Sequence, residues 1–204
     1  MGERQSLGTA RQFIEENPEE EIGLPTGVYG GNHSPPRNNL RTLIFVFMKL
    51  AKLLGTDRII LDMKAVNHWP AIIELVDHLV DGGDLPKLQR EEMLAAFQAR
   101  EAQVSTGIGL GVAIPHAFSD HLERVVAVFG ISKHGIDFQS LDNAPVHFII
   151  LFIVPRKEYH MHLQTLAAIA KMFTNGEIRR QLGAAESREE ILAIFDSRPS
   201  RVGA

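Results

Sequence analysis

No cysteine occurs in the 204 residues of the chain, which removes disulfides, zinc-thiolate sites and thiol nucleophiles together. Any chemistry must come from His, Asp, Glu, Arg or Ser. Positive charge is not in excess either: 21 Lys and Arg stand against 25 Asp and Glu, for a formal net charge of -4. Without a broad positive field, contacts along a nucleic-acid backbone are not favoured. Long apolar runs are also missing. The opening residues Met1-Gly2-Glu3-Arg4-Gln5 lack the apolar core of a signal peptide. The longest apolar run near the start, Leu43 to Met48, is far short of the ~20 residues that a spanning helix needs. We therefore expect a cytoplasmic protein with no direct membrane insertion and no nucleic-acid partner. Internal repeats, heptads and low-complexity blocks are absent as well.

What remains is an ordinary globular composition, 45% hydrophobic and 23% charged, long enough for one substantial core and too short for two comfortable ones. From Asn17 to Asn39 the chain is crowded with Glu, Gly, Pro and Asn and has no periodicity, as in a linker or tail. A helical pattern opens at Met48-Lys49-Leu50-Ala51-Lys52-Leu53-Leu54. The expected organisation is a tail over 1–47, disordered or not native, a domain over 48–197, and a C-terminal tail over 198–204. The composition break makes Met48 a candidate start residue.

Inside the domain, Arg58 to Leu61 reads as a short strand. The apolar positions Ala71, Ile72, Leu75, Val76, Leu79 and Val80 predict an amphipathic helix from His68 to Val80, stopped by Gly82-Gly83. A second helix is expected over Leu88 to Arg100. The stretch Gly107-Ile108-Gly109-Leu110-Gly111 holds too many glycines for a helix and suits a tight backbone path. Strands are expected over Arg124 to Ser132 and Val146 to Val154, the second nearly continuously apolar, as in a central strand covered on both faces. Pro155 should end it. Helical spacing returns from Met161 to Phe173, then near Glu177 to Leu182 and Arg188 to Phe195. The fold class expected is α/β, a mixed β-sheet flanked by helices on both faces.

The chemistry concentrates in Ser105-Thr106-Gly107-Ile108-Gly109-Leu110-Gly111-Val112-Ala113-Ile114-Pro115-His116. A dinucleotide loop or P-loop is a weak reading, since no Gly-Lys-Ser/Thr ending and no G-x-G-x-x-G opening a helix is present. The segment instead offers a histidine behind a proline-fixed backbone, beside a loop with little side-chain bulk. We expect His116 in a surface loop outside the core. Neutral imidazole is nucleophilic, and a pKa near ~6.5 leaves mostly that form at cytoplasmic pH. Arg100 stands sixteen residues before His116. His162 opens the helix that follows the apolar strand, where free N–H groups favour an anion.

Arg100-Glu101, then Ser105-Thr106-Gly107-Ile108-Gly109, then Ala113-Ile114-Pro115-His116 resembles the active-site signature of bacterial phosphotransferase-system enzyme IIA domains of the fructose/mannitol type, the nitrogen-regulatory kind included. His162-Leu163-Gln164-Thr165-Leu166 is similar to the family's second signature. The resemblance runs from about Met48 to Phe195. Leu110 departs from it, standing where many members carry Asn. The resemblance implies a phosphotransferase/anion-transport-like sandwich and a phosphotransferase reaction through phosphohistidine at His116. Arg100 and His162 would stabilise the transferred charge, with attachment at Nε2; the residues alone do not choose the nitrogen. It implies an HPr-like phosphocarrier as donor, and downstream either a regulatory target protein or a separate enzyme IIB in fructose/mannitol-type sugar uptake, with the regulatory role favoured.

Each residue also has a plainer reading: His116 a surface histidine, Arg100 a helix C-terminal cation, His162 a solvated first-turn residue, the glycines turn residues only. The joint spacing lifts all of them. A metal site built from His116, His160 and His162 has no supporting carboxylate or Cys pattern, so no metal and no cofactor are expected. Ser119, Asp120 and His121 are read as solvated loop, and His68, His78, His121, His134 and His147 as surface or ordinary structural positions.

Overall fold

A computed structural model of the protein describes residues 50–196, apart from the side chains of residues 159–164. The expected tails over 1–47 and 198–204, and Met48 as a start residue, lie outside the described residues. Residues 50–54 are helical. They lead into β1 (Ile59–Ile60), α1 (His68–Asp81), α2 (Arg90–Glu101), β2 (Gly107–Gly109), β3 (Val112–Ala113), β4 (His116–Ser119), β5 (Val126–Ile136), β6 (Val146–Pro155), α3 (Tyr159–Phe173), α4 (Gly176–Ala184) and α5 (Arg188–Asp196).

The sheet is six-stranded and mixed, in the order β1-β5-β6-β3-β2, with β4 also on β6. Strands β1, β3 and β4 lie parallel to their partners, while β5 and β6 pair antiparallel and β2 and β3 close an antiparallel hairpin. Strand β6 is central because its side chains serve both faces. Phe148, Ile150, Phe152 and Val154 enter one apolar cluster with Ile169, Met172, Phe173, Leu182, Ile191 and Phe195 of the last three helices. Ile149, Leu151 and Ile153 enter the other, with Ile72, Leu75 and Leu79 of α1 and Met93 and Phe97 of α2. Period-two alternation thus feeds two helical layers. The expected α/β sandwich with helices on both faces is the observed one.

Helix α1 follows its apolar stripe, burying Ala71, Ile72, Leu75, Val76 and Leu79, and ends where Gly83 turns to φ 76°. The helix expected from Leu88 begins instead as a 3-10 turn over Lys87–Gln89, and α2 proper carries Glu91 and Glu92 in its first turn and Arg100 in its last. That polarity complements the helix dipole. Pro155 does not stand outside β6 but is its last residue, paired with Ser119; a proline is tolerated at a strand end, where a missing N–H costs little.

Two expectations change around the nucleophile candidate. His116 is not in a surface loop: it opens β4, paired in parallel register with Phe152, and its side chain is half-buried. Ser119 is not solvated either, being 1% exposed, with its hydroxyl accepting from the backbone N–H of His121 and Leu122 at 3.1 and 3.3 Å. A four-residue strand that contains His and Ser lacks the apolar alternation by which strands are read, and its pairing with residues 152–155 is wholly non-local.

Candidate active site

Strands β3 and β4 occupy successive stretches of one edge of β6, with Val112 opposite Phe148 and His116 opposite Phe152. Between them lie Ile114 and Pro115. Proline has no N–H and a locked φ, so the ladder is interrupted there. Pro115 still accepts from the Phe152 N–H at 2.9 Å, while the Ile114 N–H donates to Thr106 O at 3.0 Å. The Ile114 carbonyl then accepts from His116 Nδ1 at 3.0 Å. A carbonyl can only accept, so Nδ1 carries the proton and Nε2 of the neutral ring carries the lone pair.

Arg100 arrives from the last turn of α2. Its Nε–H donates to His116 Nε2 at 3.3 Å, and its Nη1 donates to Val104 O at 2.9 Å. Arginine never acts as an acceptor, so both sides of the imidazole specify the same tautomer. Burial depresses the His116 pKa below its ordinary value; the bond to Ile114 O opposes this, the Arg100 cation adds to it, and Glu101 opposes it. The folded site therefore favours the neutral ring.

The next residue on α2, Glu101, points elsewhere. Its carboxylate accepts from Thr106 N at 3.1 Å and from Thr106 Oγ1 at 2.5 Å. His68 Nε2 lies 2.9 Å away in a close but poorly aligned contact, with the carboxylate side chain only 5% exposed. Burial raises the Glu101 pKa, but the nearby His68 and the bonds from Thr106 outweigh that and leave it lowered, so the group is a carboxylate at neutral pH. His68 in turn packs on Phe138 with ring centroids 4.2 Å apart. In the sequence neither Glu101 nor His68 stands out, the one lying beside Arg100 and the other far away in the chain. The one available signal was a Glu adjacent to an Arg at a helix end, which chain order alone cannot link to Thr106.

The glycine segment is a hairpin, not merely a turn. Gly107 must be glycine because a Cβ there would sit 2.8 Å from the Cα of Ser140. At the tip, Gly109, Leu110 and Gly111 all have positive φ, of 85°, 58° and 75°. Leu110 is thus a leucine in the left-handed region, its N–H held by Asp142 Oδ2 at 2.9 Å and its side chain 52% exposed. Unlike Gly or Asn, which tolerate this region, leucine adopts it under strain.

His162 lies in the first turn of α3, but its side chain, like that of His160, is outside the described residues. Arg100 and His116 are therefore the pair that the described site brings together. Among the described residues no group of three or more His, Cys, Asp or Glu could hold a metal ion, and no helix is long and apolar enough to cross a membrane.

A family model for the phosphoenolpyruvate-dependent sugar phosphotransferase system, EIIA 2, matches residues 52–198. The chain is 35% identical over 149 residues to the fructose-specific EIIABC component of Bacillus subtilis, covering 73% of this chain but only 23% of that protein. It is 34% identical over 125 residues to the fructose-specific EIIA component of Haloferax volcanii, covering 61% of this chain and 80% of the relative. The crystal structure of the nitrogen regulatory protein IIA-Ntr from Neisseria meningitidis superposes with a TM-score of 0.66 at 28% identity, covering 72% of this chain and 99% of that one. The spacing of Arg100 and His116, the hairpin between them and the mixed sheet that carries them have one common explanation: the chain belongs to the EIIA type 2 family of the phosphoenolpyruvate-dependent phosphotransferase system.

Proposed function

We propose that the chain is a phosphocarrier that accepts a phosphoryl group on His116 Nε2 from a phosphohistidine of an HPr-like protein, within a domain spanning 48–197. The observation that carries this is the double specification of one tautomer, with Nδ1 donating to Ile114 O and Nε2 facing the Arg100 N–H. In the transfer, the Nε2 lone pair forms a bond to phosphorus as the donor's N–P bond breaks, and the electron pair of that bond returns to the donor imidazole. No metal or separate base is required. Nδ1 keeps its proton on Ile114 O, so no other proton has to move. Charge spreads over the three equatorial phosphoryl oxygens. Arg100, already anchored through Nη1, moves its Nε–H from the consumed lone pair to an oxygen. His162, at the start of α3, is assigned the second donor by its place in the signature, and the helix N-terminus adds favourable dipole there.

Downstream, we assign a nitrogen-type regulatory role in which phosphorylation adds roughly two negative charges beside the hairpin and changes which protein is held. The 99% coverage of the Neisseria nitrogen regulatory protein supports it. The 34% identity to the fructose-specific Haloferax component favours the second reading, delivery to the cysteine of an enzyme IIB. The sequence contains no cysteine, so such an acceptor lies outside it. In both readings the transfer takes place in the cytoplasm. The test is incubation with phosphoenolpyruvate, enzyme I and HPr, mapping acid-labile phosphate by mass spectrometry, then adding a fructose-type enzyme IIB. Phosphate on His116 is expected. Discharge to enzyme IIB would favour sugar delivery over regulation, and phosphate on another histidine would overturn the assignment.

A further inference from the structure

Hydrogen bonds link a buried carboxylate, residue by residue, to the backbone that holds the His116 ring. Glu101 accepts twice from Thr106, at 3.1 Å from its N–H and 2.5 Å from its hydroxyl. Thr106 O accepts from the Ile114 N–H at 3.0 Å, and Ile114 O accepts from His116 Nδ1, also at 3.0 Å. Thr106 is 4% exposed and Ile114 likewise 4%, so water does not compete freely for these bonds. From the same helical turn, Arg100 reaches the opposite nitrogen of the ring and ties back the connecting segment through Val104 O. The end of α2 therefore grips the imidazole from both sides, directly through Arg100 and through three bonded links beginning at Glu101.

We propose that Glu101 is a positioning residue: with Thr106 it fixes the Ile114 carbonyl, and through it the tautomer and aim of His116. The inference rests on the phosphocarrier reading for its kinetic consequence, but not for its structural one. Ionised Glu101 accepts the two Thr106 bonds at full strength, since bonds to a charged group are about twice as strong as neutral ones, and so fixes the Thr106 backbone to which Ile114 is bonded. The two Thr106 donors disperse part of this carboxylate's charge and so lessen its repulsion of an incoming phosphoryl group. Glu101 touches no partner, because it is enclosed by Thr106 and His68. Its loss should therefore impair the aim of the nucleophile, not the docking of the donor.

Three variants of the full chain test this: Glu101→Gln, Thr106→Val and Thr106→Ser. The first readout needs no phosphate. Long-range 1H–15N spectra of 15N-histidine protein report which His116 nitrogen is protonated, and the wild type should show Nδ1–H. Glu101→Gln and Thr106→Val should each raise the share of the other tautomer, whereas Thr106→Ser, which keeps the hydroxyl, should restore the wild-type pattern. The second readout is labelling by phosphorylated HPr. The saturating rate of Glu101→Gln should fall by about 10- to 100-fold, the scale of loss when a reacting group is misplaced by an ångström or less, with the half-saturating HPr concentration unchanged. Thr106→Val should fall less, and serine should rescue it. Wild-type tautomer and saturating rate in both Glu101→Gln and Thr106→Val would overturn the inference, even if their melting temperatures drop, since that result describes a merely structural residue. A wild-type chain that takes no phosphate on His116 would defeat the phosphocarrier reading, and the tautomer spectra would still decide the role of Glu101.

Discussion

The β5–β6 pair and the β2–β3–β4 edge belong to one sheet and are built on opposite terms. β5 and β6 are 11 and 10 residues long, paired over most of their length, and buried on both faces. The edge consists of strands of 3, 2 and 4 residues, interrupted by Pro115 and carrying three consecutive positive φ values at Gly109, Leu110 and Gly111. The first region is held by apolar area, which is non-directional and tolerant of detail. The second buries Val112, Ala113, Ile114 and Ala117 in the same clusters and adds individual hydrogen bonds, which are directional and aim one ring. The side chains that aim the ring, Arg100 and His116, are outside both apolar clusters, so substitutions should separate stability from labelling.

The largest separation is expected at His116. His116→Ala should abolish phosphate uptake while the melting temperature stays near wild type, because the half-buried ring contributes little to either apolar cluster. Acid-labile phosphate persisting in that variant would place the acceptor elsewhere. Ile150→Ala should do the reverse, costing about 2–5 kcal/mol of stability in urea unfolding while the folded fraction still labels at the wild-type rate. A labelling rate that falls in proportion to the lost stability would show the two regions to be coupled.

Arg100→Ala should slow labelling by roughly 10²–10³, the usual cost of a preorganised donor at a transition state. Arg100→Lys should recover little of it, keeping the charge but losing the fork. His162→Ala should lose less than Arg100→Ala. Equal rates in wild type and both alanine variants would leave His116 without electrostatic partners.

A smaller effect should appear in pH dependence. His116 has its pKa lowered from 6.5 by burial, with Arg100 adding to the shift, so labelling should stay flat down to pH 6.5 and decline only below it. The unfolded chain binds its proton first. The stabilisation linked to this group is present above 6.5 and is lost as pH falls through the folded value. Arg100→Ala should move the His116 titration upward in NMR. A downward shift would show that the cation does not act on the ring as described.

The smallest effect is expected at Leu110. Leu110→Gly should remove the cost of a left-handed leucine and stabilise the chain by up to about 1 kcal/mol, with His116 still labelled. A loss of stability would mean that the leucine side chain packs more than its 52% exposure suggests.

What could be read in the chain before folding was whatever local chemistry encodes. The unbroken apolar run from Phe148 to Val154 marks a strand covered on both faces. The stripe Ala71, Ile72, Leu75, Val76 and Leu79 marks α1, and Arg100, the glycine segment and His116 mark the candidate site by order and spacing. Strand β4 was not legible, since its four residues have no period and depend on partners 36 positions away. Nor was the role of Glu101, whose carboxylate meets Thr106 and His68 only once α1, α2 and the hairpin are packed together.

By itself, then, the sequence determined the elements, the two-sided core and the identity of the nucleophile candidate, because periodicity and side-chain type are local properties. Only the tertiary structure decided which imidazole nitrogen is presented. That choice depends on a carbonyl turned toward Nδ1 at Ile114 and a guanidinium brought to Nε2 from the end of α2, and hydrogen-bond direction exists only between groups already placed in space.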